Sequence, residues 1–229
     1  MILGGKATLV AFNRTMRLTV AIILINAAVF ILQSASAVAN NVPLGEDPFT
    51  FTFALTPVIA LSGSWWQFIS YMFLHADPLH IFLNMFVFFM FGAVMERALG
   101  WKKFLFLYMI SGVGSALFYL FLTLTFIPGE MTVLMLGASG AVYGILAAFG
   151  FMFPKEVIYA YFIPLPAISA VFLFAAVELI AGVTGIMPGI ANFGHLGGII
   201  TAALMMLVWK YTLKPKNEKD LRHYQFYWE

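Results

Sequence analysis

Gly137-Ala138-Ser139-Gly140-Ala141-Val142-Tyr143-Gly144 surrounds one hydroxyl with the smallest side chains available. Gly137 and Gly140 permit a loop-to-helix turn that exposes both the Ser139 hydroxyl and its amide, the need served by nucleophile turns in soluble hydrolases. Gly140 and Gly144 also make a small-xxx-small face, so close helix packing accounts for the run equally well. His195 lies in Gly194-His195-Leu196-Gly197-Gly198, where another helix can approach its ring. Its alternative is a satisfied buried histidine. His75, His80 and Asn84 form a third group, and Pro78 suits a first helical turn there. His80 and Asn84 are then i and i+4 on one helix face. An interfacial histidine beside an asparagine bonded to a neighbouring helix would read the same way. Glu178 is either a proton carrier or an acceptor for loop amides, and the structural role is preferred. Together these residues supply a nucleophile, a base and two oxyanion donors. Independent packing accidents would not be expected to fill each role.

The elements that must position them are membrane spans. Of 229 residues, 62% are apolar and 10% charged, against roughly 45–50% and about 25% in soluble domains. That excludes a water-soluble fold. A net charge of +2 gives no bulk attraction to nucleic acid. The absence of cysteine excludes disulfides, thiolate metal sites and cysteine nucleophiles. A bilayer core needs about 20 helical residues. Six apolar runs approach that length: Leu18–Val38, Ile81–Met95, Phe104–Ile127, Met131–Phe153, Val157–Val177 and Ile186–Trp209. Ile81–Met95 is short and must borrow Pro78–His80 or tilt. None alternates apolar with polar residues, so helices are favoured over a β-barrel.

Charge orients the spans. All 12 basic residues fall in the first, third, fifth and last segments outside the spans. The other three segments, at about 39–79, 128–130 and 183–191, hold Glu46, Asp47, Asp77 and Glu130 instead. Both termini are therefore expected in the cytoplasm. The organisation read from this is a cytoplasmic segment 1–17, a bundle 18–213 and a cytoplasmic tail 214–229. The long first outward segment carries Trp65 and Trp66 and is expected to fold against or partly into the outer leaflet. Span five carries Phe162, Pro164, Pro166, Phe172 and Phe174 and no GxxxG, so it is expected to be the most loosely held. On that composition, substrate would enter between spans two and five, gated by the upper half of span five and the loop after Gly182.

The ordered set His75-x4-His80-x3-Asn84, Glu96-Arg97-x-Leu99-Gly100, Gly137 to Gly144, and His195-Leu196-Gly197-Gly198 resembles the rhomboid family of intramembrane serine proteases. The match runs from about Trp66 to Ala202. The resemblance implies an all-α membrane protein, a six-helix bundle with a long, partly embedded first outward loop. It implies Ser139 as nucleophile and His195 as general base, a dyad with no carboxylate. The Ser139 amide, His80 and Asn84 would bind the oxyanion, with His75 nearby in a supporting place. Tyr143 would pack beneath the His195 ring, Gly137 and Gly140 would shape the turn, and Gly198 would let span six approach span four. The site would open to the non-cytoplasmic side of the cell membrane and act on single-span or other transmembrane proteins, needing no metal or cofactor. Two positions depart from the family: Gln67 follows Trp66 where an arginine is usual, and Ala202 stands where a second span-six glycine is frequent. Two rival functions are a catalytically inactive rhomboid-like binding protein, which would lack the serine or histidine, and a proton-coupled transporter, which would show internal repeats.

Overall fold

The computed structural model describes residues 16–160, 163–186 and 191–212. Residues 1–15 of the expected N-terminal segment, with Lys6 and Arg14, and the whole expected tail, with Lys214, Lys216, Lys219 and Arg222, lie outside the described residues, as does Phe162. Among the described residues, five helices are long and apolar enough to cross a membrane.

The first of them, α1 (Arg17–Asn40), has no side-chain cap of its own. Its orphan amides are satisfied from another helix. Glu96 accepts hydrogen bonds from Leu18 N (3.0 Å), Thr19 N (2.8 Å) and Thr19 Oγ1 (2.7 Å). That places the end of the second span beside the start of the first. At the far end of α1, Gln33 donates to Thr50 Oγ1 (2.8 Å) and accepts from His75 N (3.1 Å). The first span thus holds the long loop at two points.

That loop is ordered by three short helices, α2 (Pro48–Phe53), α3 (Pro57–Leu61) and α4 (Gln67–Ser70), followed by a 3-10 turn at Tyr71–Phe73. Asp47 caps α2, accepting from Thr50 N (3.0 Å) and Thr50 Oγ1 (2.6 Å). Gln67 answers the question left by the missing arginine. It is buried, its Oε1 accepts from Thr56 N (3.1 Å), and its Nε2 reaches Thr52 O (3.3 Å). A neutral amide therefore ties α4 to the last turn of α2 and to the residue that leads into α3. Next to Thr56, Leu55 exchanges both backbone hydrogen bonds with Met135 (2.9 and 2.8 Å). The loop is thereby fastened to the strand-like segment that leads to Ser139.

The second long helix, α5 (Pro78–Leu99), is longer than the apolar run because it does borrow Pro78–His80. Asp77 caps it by accepting from His80 N (2.8 Å), and Pro78 sits in its first turn. The third, α6 (Trp101–Thr125), follows across Gly100 alone. The next helix, α7 (Ser139–Met152), corrects the expected span Met131–Phe153: residues 131–138 are turn and extended chain. At 14 residues α7 is about 21 Å long, less than a ~30 Å hydrocarbon core. Eleven of its residues are buried.

The expected span Val157–Val177 also needs correction. Near its start two strands, β1 (Val157–Ala160) and β2 (Ile163–Pro166), pair antiparallel in the register Val157 to Pro166 and Tyr159 to Pro164. Proline lacks the amide a helix interior requires but is tolerated on an edge strand. The helix α8 (Ala167–Thr184) starts directly after Pro166. The last helix, α9 (Asn192–Thr212), begins six residues later than the expected Ile186.

The core sits where α9, α7 and α6 meet. Gly198 explains the closeness of α9 to α7, since a Cβ there would coincide with the Gly140 carbonyl oxygen. Ala202, one turn on, is fully buried, so alanine fits the same face. α8 packs on α7 and α9 but has no extensive packing against α5. It is not the least buried span, however: α1 buries less of its surface than α8 does.

Candidate active site

Ser139 is the first residue of α7, so its N–H is among the amides that no helical carbonyl reaches. No side chain caps this end. The helix dipole places partial positive charge at the same point. The turn before it depends on Gly137, whose φ is +123°. That region is costly for any residue with a Cβ. A Cβ on Gly137 would also lie 2.9 Å from His80 Cε1 and 3.0 Å from His80 Nε2. The His80 ring therefore closes directly over the turn that presents the serine.

Ser139 Oγ lies 2.7 Å from His195 Nε2. The two residues come from α7 and α9, which the glycine contact at Gly198 brings together. Tyr143, one turn below Ser139, stacks on the His195 ring with centroids 4.5 Å apart and planes 15° from parallel. His80 accepts a hydrogen bond at Nδ1 from Ala76 N (3.3 Å). That contact leaves the ring proton on Nε2, the atom facing Gly137. Asn84 donates one amide hydrogen to His80 O (3.0 Å), committing part of its side chain to its own helix. His75 precedes the helix. Its ring is buried and meets His80 edge-on at 5.1 Å. Burial and the neighbouring His80 push its pKa down to about 3, so it is neutral across ordinary pH.

One side chain stands where the sequence reading did not put it. Glu178, on α8, was expected to accept from loop amides, and the histidine was expected to lack a carboxylate. Instead Glu178 Oε1 accepts from the Tyr143 hydroxyl (2.6 Å) and lies 3.0 Å from His195 Nδ1. Glu178 and His195 are 7% and 8% exposed, so this contact is screened little by solvent. Phe174, on the span expected to be loosely held, turns its ring edge to Tyr143 (centroids 6.4 Å apart, 87°). The signal for Glu178 was available in principle. A carboxylate inside an apolar span needs donors, and spans four and six supply Tyr143 and His195. Sequence spacing alone does not reveal that α8 turns this face inward.

A helical membrane protein holding a serine–histidine pair among its spans belongs with the intramembrane serine proteases. The Rhomboid domain matches residues 62–211. Rhomboid protease AarA of Providencia stuartii is 32% identical over 211 residues, covering 86% of this chain and 73% of that protein. RHOMBOID-like protein 6, mitochondrial, of Arabidopsis thaliana is 29% identical over 168 residues, 69% of this chain and 51% of that protein. Rhomboid-type serine protease 2 of Emericella nidulans is 34% identical over 136 residues, 58% of this chain and 25% of that protein. The chain belongs to the rhomboid family.

Proposed function

We propose that this rhomboid protease cleaves peptide bonds in or near transmembrane segments of single-span and other membrane proteins, with Ser139 as nucleophile and His195 as general base. The 2.7 Å contact between Ser139 Oγ and His195 Nε2 carries the reading. The chemistry follows from the geometry. His195 Nε2 takes the hydroxyl proton as Ser139 Oγ attacks the scissile carbonyl. The developing oxyanion is held by the Ser139 N–H, by His80 Nε2–H and by the second hydrogen of the Asn84 amide. One such donor is worth about 3–4 kcal/mol in the transition state. His195 then gives its proton to the leaving amine, and water hydrolyses the acyl-enzyme. Without the serine or the histidine the chain would be a binding protein; it has both, within hydrogen-bond reach.

The finer topology belongs to the same proposal. The five long helices and α7 together make six crossings, with residues 131–138 completing the fourth as extended chain beside the loop. The basic residues put both termini in the cytoplasm and the Ser139 end of α7 toward the other side. Phe51, Val58, Leu61, Trp65, Trp66 and Ile69 are exposed on the first loop, an apolar face suited to the outer leaflet. The test is a fluorophosphonate probe and a single-span substrate with purified protein. Wild type should be labelled and should cut. Ser139→Ala should do neither, and continued cutting by that variant would overturn the assignment.

A further inference from the structure

We infer that Glu178 is a positioning residue for His195, so that in this chain a carboxylate supports the serine–histidine pair; the inference rests on the proposed roles of Ser139 and His195. Three contacts carry it. Glu178 Oε1 is 3.0 Å from His195 Nδ1, the ring nitrogen turned away from Ser139. The same oxygen accepts from the Tyr143 hydroxyl at 2.6 Å. Tyr143 in turn stacks under the imidazole it shares that oxygen with. One carboxylate oxygen thus lies at the edge of the ring, within reach of charge attraction, while the tyrosine covers its face.

The chemistry of each atom is defined. With Nδ1 bearing the ring proton, Nε2 has the lone pair that must accept from Ser139 Oγ. A carboxylate at Nδ1 favours that tautomer over its mirror. When Nε2 takes the serine proton the ring becomes a cation, and Glu178 stays an anion beside it. No proton passes to Glu178. The cation later returns its Nε2 proton to the leaving amine, and the carboxylate is unchanged over the cycle. Oε1 and Nδ1 are 3.0 Å apart but do not form a hydrogen bond, so the contact is one of charge. Charge attraction is less sensitive to angle than a neutral hydrogen bond is.

The groups facing this pair are few. α7 contributes Tyr143 and Ser139, α5 contributes His80, and α6 presents the uncharged Ser111 and Ser115 to the neighbouring packing face. Of these residues only Glu178 carries a negative charge at neutral pH. It alone can stabilise the ring cation by charge.

The experiment is the pH dependence of cleavage by Glu178→Gln, which keeps shape and removes charge. Turnover should fall about 100-fold with KM little changed, less than the roughly 10⁴ seen for the corresponding swap in a soluble triad because Tyr143 still holds the ring. The acid limb of the kcat profile should move to lower pH by about one unit, since the protonated ring has lost its counter-charge. Glu178→Asp should restore most of the rate and return the limb toward wild type. A rate loss with the limb unmoved would make Glu178 structural and overturn the inference, as would an undiminished rate. Should Glu178→Gln unfold, the Glu178→Asp profile alone decides: a limb displaced as far as total charge loss predicts would also overturn it. Ser139→Ala fails to cut under either reading, so its outcome tests the nucleophile and leaves the carboxylate to the pH profile.

Discussion

Gly137→Ala separates backbone strain from damage to the site, because the fold supplies a matched control. Gly137 and Gly63 have similar positive φ, +123° and +118°. A Cβ on Gly63 meets nothing within 4 Å, whereas one on Gly137 meets the His80 ring at 2.9–3.0 Å and Ser139 Oγ at 3.6 Å. Strain alone costs about 1–3 kcal/mol at either position. Gly137→Ala adds the displacement of His80, about 0.5–1.5 kcal/mol if the ring leaves its rotamer. Gly63→Ala should therefore lower thermal stability and leave kcat intact. Gly137→Ala should lower stability somewhat further, to a total of about 2–4 kcal/mol. It should also cut kcat by about 10²–10³, the usual loss when one oxyanion donor is withdrawn. Thermal unfolding in detergent and steady-state cleavage of a single-span substrate report the two effects separately. Equal destabilisation of both variants with full activity in Gly137→Ala would refute the placement of His80 over the turn.

Asn84→Ala should reduce kcat less than His195→Ala does, since the Ser139 amide and His80 remain, and His75→Ala should matter less than His80→Ala because His75 meets the His80 ring edge-on and is not one of the proposed oxyanion donors; parallel kinetics on the four variants check both orders. Asp47→Ala should destabilise the protein by about 1 kcal/mol at neutral pH through loss of the α2 cap. Burial opposes the Asp47 charge, but hydrogen bonds from Thr50, Ser36 and the Gly45 amide outweigh it and hold its pKa below the ordinary 3.8. Its contribution is therefore full above the unfolded value and fades as pH falls through the lower folded one, so unfolding temperatures of the two proteins should converge in acid. Phe172 is 64% exposed on α8. Phe172→Ala should raise cleavage of a transmembrane substrate relative to an unfolded soluble one, whereas Phe174→Ala should lower kcat on both through Tyr143.

Most of the site was readable because each of its residues breaks a local rule. A serine between glycines, a histidine among glycines and a proline-led His–Asn pair are each anomalous within apolar runs, and the structure brings Ser139, His195, Tyr143, His80 and Gly137 to one place. Span boundaries were harder. Met131–Phe153 and Val157–Val177 contain no charged residue, and hydropathy does not distinguish an apolar helix from an apolar extended segment. Pro164 and Pro166, spaced by two, fit a strand better than a helix, but as isolated residues they read equally as helix breaks. Glu178 was misplaced for a different reason. Its partners lie 35 residues before it and 17 after it, and only the packing of α8 against both α7 and α9 defines the contact.

Glu178 and the helix proposed to admit substrate are the same element. An outward swing of α8 that widens the cleft toward α5 must also draw Oε1 away from His195 Nδ1. Admission and full-rate chemistry then compete, and are best served in sequence: open to receive, close to react. A polypeptide that wedges the cleft apart would occupy the enzyme while being cut only slowly, and would register as a competitive inhibitor of better substrates. A segment flexible enough to let α8 return behind it would be hydrolysed. Selectivity would in that case be decided by how long a bound chain keeps the door ajar, and helices that unravel easily would be preferred over those that merely bind tightly.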